Sequence, residues 1–320
     1  MDRTLRIAIA QVAPVFLDRD RTIAKACDCV RDAALHGARL VCFGEAFVPA
    51  YPVWLSRTDG ARFDDPGQKA LHARYVDQGV DIDAGHLRQL QETCAASQCA
   101  VVIGVMERPQ DRGGHSLFCS RVVIDERGTI ASVHRKLMPT YEERLAWSPG
   151  DGNGLVTHPV GPFTLSALNC WENWMPLARA ALYAQGTNLH VAIWPGSLAN
   201  TQDITRFIAR EGRTYVISAS AILRNEDLPD DVPLRDRILE GDPLESFHNG
   251  GSCVANPDGT WLVEPVVGEE RVIHATLELD RVYEERQNFD PSGHYARPDV
   301  LRLTVDRRRQ SAIDVLDDEG

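Results

Sequence analysis

Residues 163–196, FTLSALNCWENWMPLARAALYAQGTNLHVAIWPG, constrain the fold more than any other stretch, because they spell strand, sharp turn, helix and strand in succession. Phe163 to Leu168 is short, apolar and holds a Thr, as a buried strand does. Leu177, Ala180, Ala181 and Ala184 recur at helical spacing, Pro176 suits a first turn where its missing N–H costs nothing, and Gly186 is a natural stop. Leu189 to Ile193 is a second strand. An α/β class follows, and Cys170 lies where a strand ends and a helix is about to begin, the place such folds reserve for chemistry. A helix N-terminus there would favour a thiolate. Taken alone, a cysteine is more often a small buried hydrophobe, so the rest of the chain must decide.

Composition narrows the function classes. The chain has 320 residues, enough for a sizeable core in one domain, and no repeat, low-complexity linker or composition shift divides it. Its formal net charge of −12 disfavours nucleic acid and anionic membranes as partners. The N-terminus, MDRTLRIAIAQV, enters a strand at once without the apolar core of a signal peptide, and the chain has no transmembrane-length apolar run; a cytoplasmic protein is expected. The eight cysteines are then expected as thiols, and none forms a Cys-x-x-Cys pair, which disfavours zinc ribbons and thioredoxin-type sites. Cys27, Cys29, Cys94 and Cys99 suit helix core and boundary positions.

In chain order, strands are expected at 5–12, 40–43, 100–106, 116–124, 129–134, 215–221, 251–255, 261–266 and 272–278, and helices at 22–36, 67–79, 84–98, 201–213 and 280–287. Glu45 follows the second strand and is succeeded by Ala46, Phe47 and Val48. A carboxyl in such surroundings is either a loop acid or a general base with its pKa raised by desolvation. Residues 49–62 form an irregular loop carrying Tyr51 and Trp54. His134, Arg135 and Lys136 close a strand; by themselves, three basic groups there suit a solvated edge. The Gly150, Gly152, Gly154 spacing is a turn and not a dinucleotide fingerprint. Residues 225–246 are Asp- and Pro-rich, as in a long surface loop. The last thirty residues run from the Arg307, Arg308, Arg309 cluster to an acidic end and are expected to form an arm, on a partner subunit or partly disordered.

Glu45, Lys136 and Cys170 thus follow three separate strands. A cysteine nucleophile needs a base for its proton and a cation for developing negative charge. The stretches GEAFVPAYP (44–52), HRKLMPTYEERLAW (134–147) and NCWENWMP (169–176), and the tail QNFDPSGHYARPDVLRL (287–303), resemble the signatures of the nitrilase branch of the carbon–nitrogen hydrolase superfamily, in the same order and over nearly the whole chain. The resemblance implies an αββα sandwich over residues 1–285, associating into αββααββα dimers or larger spirals, with 286–320 as the C-terminal arm. It implies Cys170 as nucleophile, Glu45 as general base, Lys136 as stabiliser of the tetrahedral intermediate, and Glu143 as a second glutamate holding the substrate or the lysine, with Glu142 its neighbour. Glu172 and Asn173 are expected to brace the turn. Two departures are Ala50, where the family usually has Gly before Tyr-Pro, and Ser166, four residues before the Cys, where it usually has Gly.

The implied reaction converts a nitrile and water to a carboxylic acid and ammonia through a thioimidate and a thioester, with no metal or organic cofactor. Tyr51, Trp54, Trp147, Trp171, Trp194 and Pro195 are the substrate-pocket candidates, and their aromatic character suggests an aromatic or arylaliphatic nitrile. The Cys-Trp-Glu run points to nitriles over amides. The competing readings are an amidase or carbamoyl hydrolase with the same groups, and a non-catalytic scaffold, which would be expected to have lost one of them. No Gly-x-Ser-x-Gly elbow supports a serine hydrolase.

Overall fold

The computed structural model describes residues 3–240 and 246–311. The elements run β1 (Thr4–Gln11), α1 (Arg19–Leu35), β2 (Leu40–Cys42), α2 (Trp54–Arg57), α3 (Pro66–Asp77), α4 (Arg88–Ser97), β3 (Ala100–Glu107), β4 (Phe118–Ile124), β5 (Ile130–Arg135), β6 (His158–Val160), β7 (Phe163–Asn169), α5 (Pro176–Tyr183), β8 (Leu189–Trp194), α6 (Leu198–Gly212), β9 (Tyr215–Ser220), β10 (Ile222–Arg224), α7 (Arg235–Glu240), β11 (Ser246–Ala255), β12 (Trp261–Val267), β13 (Arg271–Glu278) and α8 (Leu279–Arg286).

The strands form two sheets, ordered β13-β1-β2-β3-β4-β5 and β10-β11-β9-β8-β7-β6, with β12 added against β11. The central pairs β1–β2–β3 and β7–β8–β9 are parallel. Their residues are buried throughout in β2, β3, β8 and β9, because both faces are covered. One face of each sheet meets the other sheet: Ile7, Ile9, Leu40 and Val102 share a core with Leu165, Val191, Ile217 and Val254. On the outer face of the first sheet, α1 and α4 lay Ile23, Cys27, Val30, Leu90 and Cys94 against Val41, Val101 and Ile103. On the outer face of the second, α6 lays Ile204, Ile208 and Ala209 against Ala192, Val216 and Ala255. This is the αββα sandwich.

Boundaries mostly fall within a few residues of the sequence expectations. The short helices α2 and α7 lie in stretches read as irregular, and the short strands β6 and β10 in stretches given no element, since each is too brief for a periodic signal. Residues 241–245 of the expected surface loop, and the acidic chain end from 312, lie outside the described residues. Leu177 corrects the reading of α5: it is exposed, whereas Ala178, Arg179, Ala181 and Leu182 face inward. Residues 287–311 contain no helix or strand, and their far part returns to its own chain. Arg309 pairs with Asp151 (3.0 Å) and donates to the Val133 carbonyl, and the Gln310 N–H donates to Asp151.

Candidate active site

Both sheets deliver chemistry to the same end of the sandwich. Glu45 lies three residues beyond β2, on a segment that crosses directly over β3. Gly104 permits that crossing: a Cβ there would sit 2.4 Å from the Ala46 nitrogen and 2.5 Å from the Gly44 oxygen. The Glu45 N–H donates to the Trp194 carbonyl at the end of β8 (3.0 Å), which ties the segment to the opposite sheet. Lys136 follows β5; its N–H donates to the Cys119 carbonyl on β4 (2.8 Å) and its carbonyl accepts from Gly150 (2.7 Å). Glu143 sits in a tight turn, Tyr141–Leu145, where its carboxyl accepts the Thr140 N–H (2.6 Å). Cys170 follows β7 at φ +44° and opens a second tight turn, Cys170–Trp174.

The four side chains converge. Lys136 Nζ lies 2.9 Å from Glu45 Oε1 and 2.7 Å from Glu143 Oε2. One oxygen each of Glu45 and Glu143 and the Cys170 sulfur all lie within 4.8 Å of one another. The Tyr51 hydroxyl donates to Glu143 Oε1 (2.7 Å), and Lys136 Nζ stands 5.8 Å from the centre of the Trp147 ring. All four groups are buried, and so are His134 and Arg135, so the solvated edge expected for His134–Lys136 is replaced by an interior strand end. Each basic group there has an acid to meet: His134 reaches Glu172, Arg135 reaches Glu107 and Asp111, and Lys136 reaches Glu45 and Glu143.

Burial pushes the Glu45 carboxyl up to about 7, against the pull of the Lys136 ammonium and with help from Glu143. Burial pulls the Lys136 pKa down, but the acidic groups packed around it, Cys170, Glu45, Cys119 and Glu143, favour its protonated form and hold the pKa well above the ordinary value. The Cys170 thiol is pushed well up by burial and by Glu45, which outweigh Lys136. This corrects the expectation of a thiolate stabilised by a helix N-terminus: α5 starts at Pro176, beyond the Cys170–Trp174 turn, and the resting sulfur is a thiol. A divalent cation is a poor occupant for Glu45, Glu143 and Cys170, because the Lys136 ammonium already bridges both carboxyls at hydrogen-bond range and would repel it.

The turn carrying Cys170 is tied down from behind. Glu172 accepts the Asn169 N–H (2.9 Å), the Leu137 N–H and the His134 ring, joining the cysteine turn to the lysine strand. Asn173 Nδ2 donates to the Cys170 carbonyl (2.8 Å), and its Oδ1 accepts from His190 Nε2 (2.8 Å). Because Oδ1 is an acceptor, His190 Nδ1 is left to accept the Ser166 hydroxyl (2.8 Å). Burial and nearby arginines push the His190 pKa down to about 3, so the ring is neutral. Ser166 therefore supports the turn from below, and bracing is what Glu172 and Asn173 do. The pairings of Glu172 with His134 and Leu137, of Asn173 with His190, and of His190 with Ser166 are not legible in sequence, because their members sit on different elements.

The pocket candidates separate. Tyr51 holds Glu143 and packs edge-on against Trp147 (5.5 Å) and His248 (5.3 Å), so Tyr51 and Trp147 stand beside the reacting groups. Trp194 shares an apolar cluster with Cys170, its Nε1 donating to Ser218 (3.2 Å), while buried Pro195 gives its carbonyl to the Ala221 N–H. Trp54 is core, edge-on to Phe16 and Tyr75. The Trp171 ring is 51% exposed and lies beside Trp174, and only its backbone N–H approaches the Cys170 sulfur. Cys119 and His248 border this cluster and were not singled out from sequence; one cysteine in an apolar strand and one histidine between the expected surface loop and the strand at 251–255 carry no distinguishing pattern.

Comparison with known proteins agrees with this geometry. The carbon–nitrogen hydrolase family model matches residues 6–287. An arylacetonitrilase of Aspergillus kawachii is 33% identical, over 96% of this chain and 93% of its own. An aliphatic nitrilase of Sinorhizobium fredii is 34% identical, over 96% of this chain and 97% of its own. The crystal structure of an amidase from a Nesterenkonia species shares the fold at a TM-score of 0.64 and 19% identity, covering 90% of this chain and 96% of that one. The chain belongs to the carbon–nitrogen hydrolase family, in its nitrilase branch.

Proposed function

We propose that the protein hydrolyses small organic nitriles to the carboxylic acid and ammonia, with Cys170 as nucleophile, Glu45 as general base and acid, and Lys136 and Glu143 stabilising and orienting the intermediates. The observation that carries this is the buried cluster in which Lys136 bridges Glu45 and Glu143 beside the Cys170 sulfur. Glu45 takes the thiol proton as sulfur bonds to the nitrile carbon, and returns it to nitrogen, giving a thioimidate. Glu45 then takes a proton from water as its oxygen adds to that carbon, and passes that proton to nitrogen. In the tetrahedral intermediate the carbon–nitrogen bond breaks, the hydroxyl proton passes to nitrogen, and ammonia leaves a thioester. A second water adds, the carbon–sulfur bond breaks, and sulfur recovers its proton as the acid departs. Should the carbon–sulfur bond break before ammonia leaves, the product is the amide. The Lys136 charge and the Trp171 N–H lie where negative charge develops.

Tyr51 and Trp147, flanking the cluster, suit a substrate with an aryl or arylaliphatic body. The near-equal identities to an arylacetonitrilase and an aliphatic nitrilase leave that choice to the pocket. The free thiols of all eight cysteines suit a reducing, cytoplasmic setting, and no helix among the described residues is long and apolar enough to cross a membrane. A second copy of the chain is the partner proposed for the exposed face formed by Trp171 and Trp174 of the cysteine turn, Leu177 of α5 and Phe207 of α6.

The test is product analysis with phenylacetonitrile, benzonitrile, an aliphatic dinitrile and the matching amides, acid and ammonia being quantified together, with Cys170→Ala as control. Acid and ammonia from a nitrile, lost in the control, is the expected result. Turnover of amides alone would assign the same groups to an amidase, and turnover of neither would remove the hydrolase reading for these substrates.

A further inference from the structure

Glu45 presents its two oxygens to very different surroundings. Oε1 receives both the Lys136 ammonium (2.9 Å) and the Cys119 thiol on β4 (3.4 Å). Oε2 is buried and has no hydrogen-bond partner. An unpartnered buried carboxyl oxygen is costly, and its persistence beside a nucleophile suggests use. Cys119 is wholly buried, and burial with the neighbouring Glu45 pushes its pKa well up, so it is a thiol able to donate. Its main-chain carbonyl also accepts the Lys136 N–H (2.8 Å), so one residue of β4 fixes both partners of the Glu45–Lys136 pair.

We propose that Cys119 is a positioning residue whose thiol, together with Lys136, holds Glu45 Oε1 and thereby reserves Oε2 for proton transfer to and from Cys170. This rests on the hydrolase reading given above and deepens it. The proton path is simple: the thiol proton of Cys119 stays on its sulfur, donated to Oε1, and only the Cys170 proton moves, to Oε2 and back. Because an S–H···O bond to the carboxylate favours its ionised form, loss of that bond raises the pH at which Glu45 becomes competent as a base. The other groups bearing on Glu45 are Lys136 after β5, Glu143 in its turn, Cys170 after β7, and the hydroxyls of Tyr51 and Tyr75, and all remain in place in a Cys119 variant.

The experiment compares wild type, Cys119→Ala and Cys119→Ser, each first confirmed folded by thermal melting, with Glu45→Gln as reference. Two pH profiles are recorded: kcat/KM for a nitrile that wild type hydrolyses, and the rate of Cys170 alkylation by iodoacetamide followed by peptide mass spectrometry. In Cys119→Ala the acid limb of both profiles moves up by about one pH unit, and in Cys119→Ser, which keeps a donor, it returns towards wild type. Equal limbs in all three, or equal shifts in Ala and Ser, overturn the proposal, the latter showing that volume and not donation matters. If wild type turns over neither nitrile nor amide, the hydrolase reading fails separately, and the alkylation profile still decides for or against Cys119.

Discussion

In the proposed reaction Glu45 is the residue on which the chemistry turns, and its environment sets a pH dependence. Burial raises its carboxyl to about 7, above the value in an unfolded chain. A base works only when ionised, so kcat/KM falls as pH drops through about 7, tenfold per unit once protonation dominates. Lys136 and Cys170 have pKa values held above their ordinary positions, so neither loses its proton on the alkaline side near neutrality and the profile forms a plateau there. A pH–rate profile flat between 5 and roughly 8 would contradict this assignment of the base. At the same scale, sequence and structure divide the labour plainly. Glu45, Lys136, Glu143 and Cys170 could be picked from local motifs. That Lys136 is an interior cation bridging two carboxyls, and that Cys170 rests as a thiol, follows only from burial and from charges contributed by other strands.

At the scale of elements, the segment from Gly44 to Tyr51 holds unusual backbone. Ala46 sits at φ +46° and Ala50 at φ +130°, the latter a region that glycine alone visits without penalty. Ala50 is buried, and its carbonyl accepts from the Tyr75 hydroxyl (3.3 Å), so the packing around it holds the strained form. Ala50→Gly is expected to relieve that strain and raise stability by about 1 kcal/mol, net of the greater freedom glycine gives the unfolded chain. Urea denaturation checks it: a midpoint lower than wild type would show that the alanine methyl contributes more by packing than its backbone costs. The departure from glycine at this position was visible in sequence, but its consequence was not, because φ is a property of the folded loop. Ser166 makes the same point on β7: a small residue in place of glycine reads as a change of pocket shape, whereas its hydroxyl completes the His190–Asn173 support under Cys170.

At the scale of the molecule, the sandwich buries its core between the sheets and beneath its helices, yet one face, shared by the cysteine turn, α5 and α6, is left apolar. Trp171, Trp174, Leu177 and Phe207 are 51%, 41%, 68% and 48% exposed, and Trp174 stacks on Phe207 at 6.4 Å. Aromatic groups grouped in this way mark association surfaces. The expected outcome is a dimer or larger assembly by size-exclusion chromatography with light scattering, converted to smaller species by Trp174→Asp combined with Phe207→Asp, with the far-ultraviolet circular dichroism unchanged. A wild-type monomer at micromolar concentration would remove the proposal of pairing through this face.

The sequence by itself determined the succession of the longer elements and the α/β class, because helical and strand periodicity are local properties of the chain, and its resemblance to the nitrilase signatures picked out the candidate reacting side chains. It could not determine which basic groups are interior. His134, Arg135 and Lys136 look like a solvated edge until Glu172, Glu107, Asp111, Glu45 and Glu143, supplied from elsewhere in the chain, are folded against them. Nor could it place the tryptophans, since Trp171 turns outward and Trp54 inward according to which layer covers them. Desolvation, charge pairing and exposure depend on neighbours distant along the chain, and only the tertiary structure brings those neighbours together.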